Sequence, residues 1–225
     1  MQFSLEHRPG QASVIHLTFD QTDTMTTFYD ALALAENAPT GSSIWIHGTT
    51  PERQAAMAAR AMTSNRTLLQ MRLPLPAAPT TLQTSAFTEA DIDDFVAVNN
   101  RAFQWHPEQS GLTSEAVRSD MAEAWFDADG FRLHWIDGAL AGFCWTKVHD
   151  EPESLGEIYV IAVDPTFHGR GLGKAMTLAG LQWLSEHGLS TGMLYVESDN
   201  AAAVATYEKI GFHTHRTDTL WTPKQ

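Results

Sequence analysis

The chain has 225 residues, enough for one large or two small domains, and its 43% apolar and 18% charged content is typical of a globular protein with a full core. Its net charge of −13 argues against nucleic acid and anionic membrane surfaces as partners. A single cysteine, Cys144, excludes an internal disulfide and fits a reducing cytoplasm.

Targeting and metal signals are weak. The first residues contain no apolar signal segment, and no run reaches the roughly 18 apolar residues of a membrane span. The ten histidines lack metal-ligand spacing and no CxxC pair accompanies them. We therefore expect a cytoplasmic protein without a bound metal.

The N-terminal third alternates strand and helix patterns. Apolar alternation predicts strands at 14–19, 43–47 and 67–73, and helical periodicity predicts helices at 25–35 and 51–62, the second with Pro51 at its start. The proline-rich segment 74–79 continues neither helix nor sheet. It places the predicted domain boundary, which gives one domain at 1–76 and another at 80–225.

The longer C-terminal part is more regular. The patterns predict a strand at 81–86, helices at 89–101 and 114–126, a hairpin of 131–136 with 140–148, a strand at 155–163, a helix at 172–186, a strand at 193–197, a helix at 200–210 and one or two closing strands at 212–220. Thr88 is the predicted N-cap of the first helix. Asp137-Gly138 is a strong hairpin-turn signal, and Gly188 is a predicted C-cap.

A weak internal repeat relates the two parts. Residues 44–47, an Ala-rich helix and 66–71 resemble residues 194–197, an Ala-rich helix and 216–221. This pattern predicts that the N-terminal part corresponds to the second half of the C-terminal part only. The N-terminal copy has no glycine-rich loop.

Three glycines, Gly169, Gly171 and Gly173, follow the apolar strand that ends at Asp164-Pro165, and a helix begins at once. Glycines let the backbone approach an anion, and the N–H groups at a helix start point towards it. Arg170 and Lys174 make this segment locally basic in an acidic protein. The segment therefore predicts a binding site for a pyrophosphate group.

The order strand, two helices, three antiparallel strands, glycine loop with helix, strand, helix, strand resembles the GNAT family of acetyl-CoA-dependent N-acetyltransferases over about 82–221. His168-Gly-Arg-Gly171-Leu-Gly173 is similar to the family's pyrophosphate motif Q/R-x-x-G-x-G/A, with His168 in place of Gln or Arg. Asp199-Asn200, Tyr207 and Gly211-Phe212 resemble a second family motif. The resemblance implies an α+β fold with a mixed α/β sheet and acetyl-CoA as co-substrate. The implied acetyl-CoA contacts are Ile161, Ala162, Val163, His168, Gly169, Arg170, Gly171, Leu172, Gly173, Lys174, Asn200 and Ala203.

Other segments, such as Trp145-Thr-Lys-Val-His149 and Gly156-Glu-Ile-Tyr-Val, resemble the mycothiol synthase family, tandem-GNAT enzymes of actinobacteria. The resemblance implies acetylation of the cysteinyl amine of 1D-myo-inositol 2-(L-cysteinylamino)-2-deoxy-glucopyranoside, abbreviated Cys-GlcN-Ins. We expect a complete C-terminal GNAT domain and a truncated, degenerate N-terminal GNAT-like half that binds no acetyl-CoA. The expected partners are the two small molecules, without nucleic acid or membrane, and the expected state is a monomer.

Acetyl transfer to an amine requires a neutral amine, a polarised thioester carbonyl and a protonated leaving thiol. Glu157, on the strand before the loop, is the candidate base, and Tyr207 is the candidate acid for the departing sulfur. Amides near Ile161 to Val163 are candidates for binding the carbonyl oxygen. The resemblance assigns the acceptor to Glu108, Lys147, Glu157 and Tyr195.

Simpler interpretations remain open for each of these residues. Glu157 fits a solvated strand residue, Lys147 a surface cation and Glu108 a loop residue, whereas Tyr195 and Tyr207 fit core packing. Two other functions are also open. One is a GNAT enzyme for another amine, such as a protein N-terminus or a polyamine, and the other is a non-catalytic acetyl-CoA-binding module.

Overall fold

The structure, a computed structural model, describes residues 1–6, 13–20, 22–35, 39, 41–105, 111–149 and 154–224. The strands in these ranges are β1 Gln2–Glu6, β2 Val14–Thr18, β3 Ser43–His47, β4 Met62–Pro74, β5 Ser85–Ala86, β6 Phe131–Ile136, β7 Ala139–His149, β8 Leu155–Val163, β9 Thr191–Glu197 and β10 His213–Pro223. The helices are α1 Met25–Ala35, α2 Pro51–Ala58, α3 Ile92–Ala102, α4 Ser114–Met121, α5 Leu172–Glu186 and α6 Ala201–Ile210.

The chain divides into two compact units. The first unit consists of Met1–Met71, Tyr195–Val204 and Thr214–Gln225, and the second of Arg72–Leu194 and Ala205–His213. Strand order is β1-β2-β3-β10-β4 in the first unit and β9-β8-β7-β6-β5 in the second, but the division runs through β4 after Met71 and through β9 after Leu194. Parallel pairs, β2 with β3 and β8 with β9, lie beside antiparallel ones. The predicted mixed sheet is confirmed, whereas the domain limits 1–76 and 80–225 stay a prediction.

The core of the first unit forms where one face of its sheet meets α1. In β2 the side chains of Ile15 and Leu17 are buried, because alternate residues of a strand point to the same face. Helix α1 buries Phe28 and Leu32, which are four residues apart and therefore share one side of the helix. These side chains join one apolar cluster, so α1 is held by packing.

The internal repeat is longer than the sequence predicts. The order β1, β2, α1, β3, α2, β4 in the first part of the chain matches the order β7, β8, α5, β9, α6, β10 in the last part. In both series the first two strands are antiparallel and the second pairs in parallel with the third. The connection from β2 to α1 is thus the counterpart of the glycine loop between β8 and α5. A strand or a helix forms wherever apolar residues recur at the right spacing, whichever apolar residues these are. The two series can therefore share their order of elements without sharing residue identities.

The second unit is built around the hairpin predicted at Asp137-Gly138. Asp137 and Gly138 have φ values of 50° and 78°, as a tight turn between two twisted strands requires. Behind the hairpin, Phe95 of α3 meets the rings of Phe131 and Phe143 edge to face, with centroids 4.9 and 4.7 Å apart. The hairpin is therefore fixed on the helix layer by interlocked aromatic rings.

Several predicted boundaries are wrong. Strand β5 is limited to Ser85–Ala86, α2 ends at Ala58, α4 ends at Met121, and β4 begins as early as Met62, while β1 was not predicted. The end of α4 has a clear cause, because Trp125 and Phe126 turn towards Trp145, with ring centroids 5.6 and 5.8 Å away. The predicted cap at Thr88 is present, with reciprocal hydrogen bonds to Asp91, but it caps a 3₁₀ turn at Glu89–Asp91 that leads into α3. None of the described helices is long and apolar enough to cross a membrane.

Candidate active site

The glycine loop joins the end of β8 to the start of α5, as predicted. Gly169 and Gly171 have φ values of 78° and 74°, a left-handed conformation that favours glycine. A Cβ atom built on Gly169, Gly171 or Gly173 would meet nothing within 4 Å. No side chain caps α5 at Gly171, and within the described ranges the amides of 169–174 have no backbone acceptor. The loop therefore presents open, donor-rich backbone at a helix start.

Asp164 fixes the first residues of this loop by hydrogen bonds. Its buried carboxylate accepts hydrogen bonds from the amide and hydroxyl of Thr166, at 2.9 and 2.7 Å, and from Arg101 of α3, whose Nε lies 2.9 Å away. Burial acts to raise the pKa of Asp164, but these hydrogen bonds and the Arg101 charge outweigh it and lower the pKa. The first turn after β8 is thus fixed by a carboxylate that stays ionised.

Strand β8 leaves the parallel ladder before it reaches the loop. Its register with β9 covers Gly156 to Ile158 only, whereas its register with β7 continues to Val163. The amides predicted to bind a carbonyl oxygen, around Ile161 to Val163, lie beyond the end of that parallel pairing. The role of these amides stays a prediction, and it requires an edge of β8 that is not paired with β9.

Glu157 lies within β8 with its carboxylate buried, its exposed fraction being 8%. Lys147 of β7 is its direct cross-strand partner, and His149 is the diagonal neighbour. The Nε2 atom of His149 lies 2.7 Å from Oε2 of Glu157. The interpretation of Glu157 as a solvated strand residue is therefore wrong.

Lys147 is engaged with aromatic rings. Its Nζ atom lies 4.1 Å from the ring centroid of Trp125 and 5.2 Å from that of Tyr159. Tyr159 is the extra residue of a β-bulge, because Trp145 pairs with Val160 and Thr146 with Ile158. Burial, followed by the charges of Asp120 and Glu157, raises the pKa of Tyr159. A cation held between aromatic faces thus lies opposite the buried Glu157.

A cavity of about 370 Å³ opens beside these rings in the second unit. It is lined by Phe95, Asn99, Gly111, Leu112, Thr113, Ala116, Asp120, Trp145, Tyr159 and Val160. Burial and the nearby Glu123 carboxylate raise the pKa of Asp120, against the opposing charge of Lys147. The lining combines aromatic faces with a carboxylate, an amide and a hydroxyl, the groups that suit a small polar ligand.

Tyr207 of α6 is half-buried and lies close to Cys144 of β7. Burial, with a further contribution from Cys144, raises the pKa of Tyr207 to about 12. Burial also raises the pKa of the Cys144 thiol to about 12. Cys144 is the direct partner of Ile161 in the β7–β8 register. A phenol that keeps its proton at neutral pH therefore lies near the part of β8 predicted to bind the carbonyl.

The second unit brings together Glu157, Lys147, the end of β8, the glycine loop and Tyr207. Tyr195, Asn200 and Ala203 belong to the first unit. There, the Tyr195 hydroxyl accepts hydrogen bonds from Gln70 and Arg216 at 2.6 and 3.1 Å. Asn200 Oδ1 accepts from the Ala203 amide at 3.1 Å and so caps α6. Glu108 lies outside the described residues.

Sequence reasoning missed His149, Tyr159, Trp125 and Asp120 as neighbours of the site. The alternation of Lys147 and His149 on one strand face is a usable signal for the first of these. No sequence signal identifies the other three, because the bulge at Tyr159 and the end of α4 decide where they lie.

The comparisons with known proteins agree with this geometry. The model of the acetyltransferase (GNAT) family matches residues 93–212. A protein of Amycolatopsis mediterranei named mycothiol acetyltransferase is 44% identical over 200 residues, which covers 83% of this chain and 66% of the relative. A protein of the same name from Mycolicibacterium gilvum is 45% identical over 202 residues, with coverages of 84% and 66%.

A solved GCN5-related N-acetyltransferase from Sphaerobacter thermophilus has a TM-score of 0.76 at 16% identity, and the match covers 98% of this chain and 75% of that one. At such low identity this likeness shows the fold alone. The chain spans about two thirds of the length of the curated relatives it matches, 66% for both of those above. With the family model covering more than half of its residues, the chain belongs to the GNAT family of acetyltransferases.

Proposed function

We propose that this chain transfers the acetyl group of acetyl-CoA to the cysteinyl amine of Cys-GlcN-Ins and so forms mycothiol. The observation that carries the proposal is the buried Glu157 carboxylate on the strand that leads into an open, donor-rich glycine loop. The choice of acceptor is supported by the relatives named mycothiol acetyltransferase, at 44% and 45% identity.

The loop fits the pyrophosphate of acetyl-CoA in both shape and charge. The space above the three glycines admits a phosphate, and the amides of 169–174 can donate to its oxygens. Arg170 and Lys174 are exposed and add positive charge. His168 takes the Gln or Arg position of the motif and donates from Nε2 to the Val163 carbonyl at 3.0 Å, so it supports the loop from within. Asn200 and Ala203, at the start of α6, complete the proposed cofactor contacts.

Three groups of this chain would carry the chemistry. Glu157 takes a proton from the acceptor's ammonium, whose pKa as an α-amino group is roughly 7.7–8. The amides of Ile161 to Val163 stabilise negative charge on the thioester carbonyl oxygen, since the parallel ladder no longer occupies that edge of β8. Tyr207 donates its proton to the departing sulfur, and its raised pKa keeps that proton available at neutral pH. The second proton that the nitrogen loses on becoming an amide restores the phenol.

The acceptor would be oriented by Glu108, Lys147, Glu157 and Tyr195. Lys147 is held in place by Trp125 and Tyr159, which favours an orienting cation over a mobile surface charge. Trp145 and Asp120 line the adjoining cavity and are suited to hydroxyl-bearing rings. We also propose, from the sequence, that the enzyme is monomeric and cytoplasmic.

We infer further that the N-terminal GNAT-like half holds no acetyl-CoA. The β2–α1 connection, the counterpart of the glycine loop, contains Asp20 and Asp23 and no glycine. Asp20 accepts hydrogen bonds from the Thr22 and Asp23 amides at 2.7 and 3.2 Å. Two carboxylates repel a pyrophosphate, and they engage amides that a phosphate would need. The shortening of this half stays a prediction.

The test uses the purified chain, acetyl-CoA and Cys-GlcN-Ins, with the acetylated product measured by mass spectrometry. A thiol reagent alone is unsuitable because the acceptor carries its own cysteine thiol. We expect acetyl-CoA-dependent formation of mycothiol. Parallel reactions with a polyamine and with peptide N-termini identify another acceptor, and acetyl-CoA binding without turnover of any amine would show a non-catalytic module.

A further inference from the structure

Acetylation of an ammonium group releases one proton, because the amide product is neutral and CoA leaves as a thiol. That proton must reach water from the group that removes it. Glu157 is 8% exposed, so its carboxylate is poorly placed to exchange protons with solvent directly. A base in this position needs a neighbour that can accept a proton and also faces solvent.

The groups around Glu157 differ in their ability to do this. Lys147, directly across the ladder, lies with its Nζ atom 4.1 Å from the ring centroid of Trp125, and among the described residues it makes no hydrogen bond to Glu157. Tyr159 has a raised pKa and stays a neutral phenol. Asp120 has a raised pKa and lines the cavity, but within the described residues it makes no hydrogen bond to Glu157.

His149 differs from these groups because it both contacts Glu157 and faces solvent. Its Nε2 atom lies 2.7 Å from Oε2 of Glu157, and its side chain is 32% exposed against 10% for that of Glu157. Imidazole gains and loses a proton near neutral pH and has two nitrogens, so it can receive a proton at one place and release it at another.

We propose that His149 is the relay that carries the proton from the buried Glu157 carboxylate to solvent. The amine nitrogen gives its proton to Glu157, Glu157 passes a proton to Nε2 of neutral His149, and the imidazolium gives a proton to bulk water. The carboxylate and the neutral imidazole are restored, and the single proton released balances the reaction. His149 acts through Glu157 and is a positioning residue; it touches neither acceptor nor acetyl-CoA in this scheme.

The inference rests on the proposed function and is tested with the full chain. His149→Gln keeps a hydrogen-bond donor towards Glu157 but cannot relay a proton. We expect its kcat to fall at least about tenfold at neutral pH, with KM for both substrates within about twofold of the wild type. In His149→Ala, added imidazole should restore part of kcat in proportion to its concentration. His134→Gln is the matched control, since His134 contacts the Gln83 carbonyl and, among the described residues, no carboxylate.

The outcomes separate the two proposals. A wild-type chain that acetylates no amine overturns the proposed function and the relay with it. A wild-type chain that turns over while His149→Gln keeps full kcat across the neutral range overturns the relay alone. The relay is also overturned if His149→Ala loses activity, circular dichroism shows an intact fold, and added imidazole does not restore kcat. A loss of that kind is structural, because imidazole can replace only a lost proton carrier.

Discussion

At the scale of single residues, the site depends on a carboxylate that the fold removes from water. Glu157 lies across from Lys147 and diagonal to His149, and its Oε2 atom lies 2.7 Å from Nε2 of His149. The adjacent Tyr159 and Trp125 limit where Lys147 can move.

Replacing Glu157 by Gln should abolish its action as a base while keeping its shape. We expect kcat at pH 7 to fall by about 10²-fold or more, because general-base catalysis contributes roughly that factor. The deficit should shrink above about pH 8, where the α-amino group of the acceptor loses its proton unaided. Initial rates across pH measure this, with the exposed Glu186→Gln as control. A deficit that stays constant over the range would remove Glu157 from the role of base.

Cys144 provides a second residue-scale prediction, on stability. Its pKa is raised from 9.0 to about 12 by burial, so above pH 9.0 the unfolded chain loses a thiol proton that the folded chain retains. The unfolded state is thereby favoured, and the free energy of unfolding should fall by up to about 1.4 kcal/mol per pH unit for this group. Cys144→Ala should show a shallower decline in denaturant titrations at alkaline pH. Equal slopes for both proteins would contradict the prediction.

At the scale of elements, the glycine loop shows how backbone conformation and binding are coupled. Gly171 is the residue before α5 at a φ of 74°, whereas Gly173 is the second residue of the helix and has no positive φ. Added methyl groups meet open space at both positions. The two positions therefore differ in backbone conformation and not in crowding.

This difference makes a matched pair of variants. Gly171→Ala should lower the free energy of unfolding by about 1 kcal/mol and weaken acetyl-CoA binding, since a left-handed φ is costly for alanine. Gly173→Ala should raise stability by up to about 1 kcal/mol, as alanine favours helix, and should keep affinity within about twofold, since the motif accepts Ala there. Thermal unfolding and calorimetric titration measure both. Equal effects of the two substitutions on affinity would show that φ at Gly171 is unimportant.

Elements with a strong local cause could be predicted from sequence. The hairpin at Asp137-Gly138, the cap at Thr88 and the strand–loop–helix around Gly171 are all present, because turn and cap chemistry acts within a few residues. The alternation of Lys147 and His149 places both on one strand face, but the contact of His149 with Glu157 could not be predicted, since it depends on the register of β7 with β8. Strand β1, whose side chains are all exposed, was missed although Phe3 and Leu5 alternate with polar residues.

At the scale of the whole molecule, the two series of elements share one order but differ at one connection. The glycine loop follows β8, whereas an acidic connection with Asp20 and Asp23 follows β2. The expected number of cofactor sites follows from that difference. A chain with one phosphate-binding connection should bind one acetyl-CoA.

Calorimetric titration of the purified chain with acetyl-CoA should give a stoichiometry of one. Binding should also raise the melting temperature, because a ligand that binds the folded state alone stabilises it. Gly171→Ala, which alters the loop of the second unit only, should weaken the whole of the binding signal. A residual site of unchanged affinity in that variant, or a stoichiometry of two, would contradict a cofactor-free N-terminal half.

The β2–α1 connection also bears on how such a chain evolves. Phe19 and Asp23 are held by Arg53, whose guanidinium lies 4.4 Å from the ring centroid of Phe19 and donates to the Asp23 carbonyl at 2.9 Å. In a protein that arose by duplication, one copy is enough to retain the substrate-handling loop. The other copy is then released from that selection, and its connection can accumulate internal contacts that a bound ligand would have prevented. Arg53 is such an internal contact, since it holds the β2–α1 connection through Phe19 and Asp23.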